Sequence, residues 1–113
     1  FHLDKGYYYF RNIDNRILFG GGRNLDFKGE ETTKMITTEQ IQNRLEELLQ
    51  TTILPETTFE IDKRWSGIMG VGKQKKPIVK QLSSNIFCGV RLGGMGVAIG
   101  SAIGTNLAKI ASE

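Results

Sequence analysis

The chain has 113 residues, 39% of them hydrophobic, with a formal net charge of +3 and a pI near 9.1. That length supports one core, or one piece of a larger one, burying roughly two thirds of the unfolded surface. The single cysteine, Cys88, excludes an internal disulfide and any multi-cysteine metal site. Its flanks Ile86, Phe87 and Val90 mark it as an inert core thiol, and one free cysteine suits a reducing, cytoplasmic compartment. The basic residues are dispersed apart from Lys73, Lys75, Lys76 and Lys80, and the aromatic run Tyr7-Tyr8-Tyr9-Phe10 is far from them in sequence. Nucleic-acid binding is therefore not expected, because that function interleaves stacking rings with cations. Phe1-His2-Leu3 offers neither an initiator methionine nor a signal segment, so the chain is expected to be a fragment.

Gly6 to Gly22 reads as two strands joined at Asp14-Asn15, with Gly20-Gly21-Gly22 either bulging the sheet edge or admitting another backbone or a ligand. A helix follows, with Thr37 as N-cap, Gln40 as its capping-box partner and Ile36 stapled onto Ile41. Its apolar stripe is Ile41, Leu45, Leu48 and Leu49, and Pro55 stops it. Phe59, Ile61 and Trp65 alternate with polar residues, which predicts a half-buried strand running towards Met69. Two further strands are expected, Ile78 to Leu82 and Ile86 to Val90, with Ser83-Ser84-Asn85 as their turn.

The closing segment passes from an apolar strand through a glycine loop into a helix predicted from near Met95 to about Ala111. Glycines let main chain approach a flat or anionic group, and unpaired amides at a helix N-terminus favour negative charge. Gly96, Gly100 and Gly104 fall four apart, so a close-packed neighbour is expected on that face. The uncharged run from Leu92 to Leu107 is too short and too polar to span a membrane, which takes about 18 to 20 apolar residues.

GIMGVGKQ, Gly67 to Gln74, has the glycine and lysine separation of a phosphate-binding P-loop. It fails that chemistry. Gln74 stands where a magnesium-binding hydroxyl is required, and Lys75-Lys76-Pro77 blocks the following helix. His2 lies at the chain start and no serine sits in a nucleophile elbow, so acyl transfer has no support.

The succession W-S-G-I-M-G, then K-P-I, then G-V-R-L-G-G-M-G-V-A-I-G-S-A-I-G resembles the C-terminal part of FAD-dependent oxidoreductases of the D-amino-acid oxidase and glycine oxidase family. The resemblance is strongest from Trp65 to Ala111. It implies that residues 1–83 belong to a substrate-side sheet domain and 84–113 to the strand and helix that return to the FAD domain. Gly93, Gly94, Met95, Gly96 and Val97 would then present amides to the pyrimidine side of the flavin, where reduction places negative charge. The family's substrate-carboxylate arginine after the Trp-x-Gly segment is replaced by Met69, and a second family arginine falls on Gly94. Arg91 could take over the carboxylate, since a guanidinium binds one bidentately, or could brace a neighbouring strand.

The fold class expected is α+β: an antiparallel or mixed sheet, one amphipathic helix and one glycine-lined C-terminal helix, as a fragment of a two-domain flavoenzyme. The implied function is hydride transfer from a C–H next to an amine or hydroxyl of a small-molecule substrate to FAD. No side chain in the segment is assigned a catalytic role, and without a GxGxxG segment for the ADP half the fragment alone is expected to be inactive and to self-associate. The alternative is a small stand-alone binding or assembly module.

Overall fold

In the computed structural model, which describes residues 1–113, the chain forms two compact units, Phe1–Ile68 and Met69–Glu113. The elements are two helices and two open antiparallel sheets, an α+β arrangement as expected.

In the first unit, strands β1 (His2–Leu3), β2 (Tyr8–Ile13) and β3 (Arg16–Gly21) pair in chain order. The β2–β3 register runs from Tyr8↔Gly21 to Ile13↔Arg16, closed by Asp14-Asn15 with Asp14 at a left-handed φ of 51°. The three-glycine run serves close backbone approach: Gly21 has φ 124°, and a Cβ there would overlap the Tyr7 carbonyl oxygen. One sheet face collects aromatic rings, with Phe1 stacked on Phe10 at 5.0 Å and Phe10 edge-on to Phe19 at 6.3 Å. Such pairs add about 0.5–1.5 kcal/mol each beyond their burial.

Helix α1 (Glu39–Leu48) contacts β3 and lays its apolar stripe inward. Leu48 is buried, while Ile41, Leu45 and Leu49 are half-buried. The N-cap is Thr38 rather than Thr37, and neither hydroxyl caps the helix. That one-residue shift places Gln40 at the second helical position, where it cannot reach back to the cap amide, so the expected box does not form. Ile36 stays exposed instead of stapling. The helix relaxes into a π turn over Leu49–Ile53, closed by the Leu54 amide on the Leu49 carbonyl at 2.7 Å, just before Pro55.

The strand expected through Phe59, Ile61 and Trp65 is absent. This segment has no ladder partner, and Trp65 is 64% exposed. Ion pairs tether it instead: Arg16 Nη1 to Asp62 Oδ2 at 2.7 Å and Arg64 Nη2 to Glu46 Oε1 at 2.6 Å. Alternation describes a strand only where an edge is available to pair with, and exposed ion pairs contribute about 0–1 kcal/mol each.

In the second unit, β4 (Ile78–Ser83) and β5 (Ile86–Val90) form a hairpin around Ser84-Asn85, with the register slipping between Gln81 and Ser83. Helix α2 (Gly96–Ser112) packs on both strands through Ile103 and Leu107. Half-buried Gly89 makes room for it, since a Cβ there would lie 3.0 Å from Ile103 Cγ2.

Half-buried Gly100 and exposed Gly104 lie beside that contact on the helix surface, not on its far side. A Cβ at Gly96 would lie 3.3 Å from Leu92 Cδ1, whereas one at Gly100 or Gly104 would meet nothing within 4 Å, so the close neighbour expected along the three glycines is present only at the first. Exposure is high throughout: Tyr8 and Leu48 are the only buried large apolar residues, and 9249 Å² remains accessible. Even two separately folded bodies sharing this mass would leave only about 7,500 Å².

Candidate cofactor-binding loop

The chemistry-bearing residues gather where β5 ends and α2 begins. Arg91 leaves the strand with φ 60°, and Gly93 and Gly94 follow at 61° and 82°. This succession of left-handed conformations turns the chain sharply, and only glycine adopts them without steric cost. The turn is fixed by the Gly93 amide donating to the Gly70 carbonyl at 2.9 Å and the Met95 amide to the Leu92 carbonyl at 2.9 Å.

Met95 is the N-cap of α2, and its thioether offers no acceptor to the first turn. Its carbonyl takes the amides of Ala98 and Ile99, each at 3.0 Å. The amides of Gly94, Gly96 and Val97 are left without a partner in the loop. Serine or aspartate at the cap would have consumed one of these donors. With methionine there, they stay open at the positive end of a 17-residue helix.

The surroundings are apolar and accessible. Met95 is 55% exposed and Val97 fully so, in a first turn free of charged side chains. The loop thus combines unpartnered N–H donors with an exposed apolar rim. No Cβ blocks the approach at Gly93, where a side chain would meet nothing within 4 Å.

Met69 and Arg91 both border this loop. The Met69 sulfur lies 2.8 Å from where a Cβ of Gly94 would stand. Arg91 donates from Nε at 3.1 Å and from Nη2 at 2.7 Å to the Lys76 carbonyl oxygen. The guanidinium therefore braces main chain here, and Nη1 stays available to an anion. The sequence did not point to the Gly70 and Lys76 carbonyls as partners of the loop. The only trace was the GVG spacing inside the rejected P-loop match, whose residues Lys73 to Lys76 bend directly into β4.

A strand, a left-handed glycine turn and a helix with open amides thus meet in one exposed loop. The chain belongs to the FAD dependent oxidoreductase (DAO) family, whose model matches residues 1–110. No curated protein and no solved structure matched the chain. No helix is long and apolar enough to cross a membrane.

Proposed function

We propose that this chain is the C-terminal part of an FAD-dependent oxidoreductase that moves a hydride from a C–H beside an amine or hydroxyl of a small-molecule substrate to the flavin. The observation that carries the reading is the group of unpaired amides of Gly94, Gly96 and Val97 at an exposed, apolar-rimmed helix start, in a chain of a flavin-dependent family. The cofactor supplies the electron-accepting chemistry. This chain's part is to bind, orient and stabilise charge.

Gly93, Gly94, Met95, Gly96 and Val97 hold the pyrimidine edge of the ring in this reading. The N–H donors and the helix dipole favour the negative charge that hydride acceptance leaves there. Met69 and Arg91 flank the substrate side: the thioether offers apolar contact, and the Nη1 edge that Lys76 leaves free can meet an anionic group. Residues 1–83 are assigned to the substrate-side domain and 84–113 to the return into the FAD domain. Under this assignment the open space beside Gly100 and Gly104 and the large accessible surface are covered in the whole protein.

The test is an absorption spectrum of the full-length protein before and after reconstitution with FAD. A yellow preparation with flavin bands, beside an isolated 113-residue chain that retains none, is the expected result. A colourless full-length protein that cannot be reconstituted refutes the proposal, and would favour a stand-alone binding module.

A further inference from the structure

The GVG stretch that fails as a P-loop has a different use. Gly70 and Gly72 lie directly against Arg91: a Cβ at Gly70 would be 3.2 Å from Arg91 Cα, and one at Gly72 would be 2.8 Å from Arg91 Cδ. Arg91 therefore runs against this segment at two points, its main chain beside Gly70 and its side-chain stem beside Gly72, where a side chain on the glycine would crowd it. Beyond them its head closes on the Lys76 carbonyl through two donors. The Gly93 amide on the Gly70 carbonyl ties the same segment from the other side. Residues 69–76 have no ladder of their own, so these bonds are what hold them to the loop.

We propose that Arg91 is a positioning residue, a latch that fastens the strap Met69–Lys76 to the loop Leu92–Val97 and so holds the open amides in register for the flavin. This inference rests on the flavin reading above. The latch has a backbone and a side-chain component. Arg91 is held at φ 60°, a conformation that a long side chain rarely adopts, and its guanidinium interactions offset that cost. When the latch opens, the Gly93–Gly70 bond loses its support, Met69 leaves Gly94, and the turn that aims Gly94, Gly96 and Val97 loosens. A strap that carries Met69 at one end also fixes the distance between the substrate side and the ring.

The experiment uses the full-length protein with Arg91→Lys, Arg91→Asn and Gly72→Val. Lysine keeps the charge but cannot offer two donors to one oxygen. Asparagine tolerates the left-handed backbone but is too short to reach Lys76. Valine leaves Arg91 in place and displaces its stem. Circular dichroism identifies the folded variants; amide exchange over residues 70–76 reads the latch, and the FAD dissociation constant and flavin reduction potential read the loop. Loss of one charge-assisted hydrogen bond corresponds to roughly tenfold, so FAD affinity is expected to fall about tenfold in the lysine variant and further in the asparagine one. The potential should shift in both, and exchange at 70–76 should accelerate in all three.

A purely structural arginine would lower the melting temperature while leaving the FAD constant and the potential of folded molecules unchanged, and that result overturns the inference while the flavin reading survives. If the asparagine variant does not fold, the lysine and valine variants carry the same test. A wild-type protein that takes up no FAD overturns the flavin reading first, and the positioning role with it.

Discussion

Gly94→Ala is the most direct probe of the loop. The position has φ 82°, where an L side chain costs on the order of 1–2 kcal/mol relative to glycine. The new methyl would also stand 2.8 Å from the Met69 sulfur, but that atom is the flexible end of a thioether and can move aside for a fraction of that cost. The backbone contribution therefore dominates, and a penalty of about 1–2 kcal/mol corresponds to a factor of 5–30 in the population of the correctly turned loop. FAD titration of the full-length protein should show that weakening in Gly94→Ala. Met69→Ala combined with it should recover less than half of the loss, since relieving the contact leaves the torsion untouched. FAD affinity within twofold of wild type, or full recovery in the double variant, would refute the argument that a left-handed turn sets the amides.

Gly96→Val should lower flavin content, because a branched side chain would crowd Leu92 Cδ1, already 3.3 Å from the Cβ position, and intrude beside an open amide; unchanged flavin occupancy removes that assignment. Leu48→Ala should destabilise the first unit by about 2–5 kcal/mol, read by chemical denaturation, since Leu48 is one of only two buried large apolar residues. Gly104→Ala should raise the helicity of the isolated chain, where the Cβ enters open space and alanine is favoured by about 0.5–1 kcal/mol, yet lower flavin retention in the full-length protein; gains in both settings contradict a covered glycine face. Light scattering of the isolated chain should show self-association through that face, and a monomer at every concentration counts against it.

Local chemistry was well marked in the sequence. Asp14-Asn15 specified the first hairpin, the spacing of Ile41, Leu45 and Leu48 specified α1, and the change from β-branched residues to glycines at Val90 located the start of α2 closely. What depended on a partner was not legible. The alternation around Trp65 looked like a strand because sequence records faces but not whether an edge is available, and ion pairs of Asp62 and Arg64 took the place of a ladder. The cap expected at Thr37 falls one residue later, on Thr38, where no side-chain hydrogen bond fixes the helix start. In the loop, the glycine run between strand and helix made the left-handed turn at Gly93 and Gly94 legible. The role of Arg91 was open between anion and main chain until the Lys76 carbonyl appeared beside it, a contact that joins residues fifteen apart.

Every strand in this chain pairs with the one that precedes or follows it, β1 with β2, β2 with β3, β4 with β5. Loop closure is then short at each step, and hairpins of this kind form in about 1–10 μs. Both sheets can therefore be complete as soon as their own residues are synthesised, ahead of any distant contact. Helix α2 packs on the β4–β5 hairpin that directly precedes it, so the second unit too is completed by contacts between neighbouring elements, with no long loop to close.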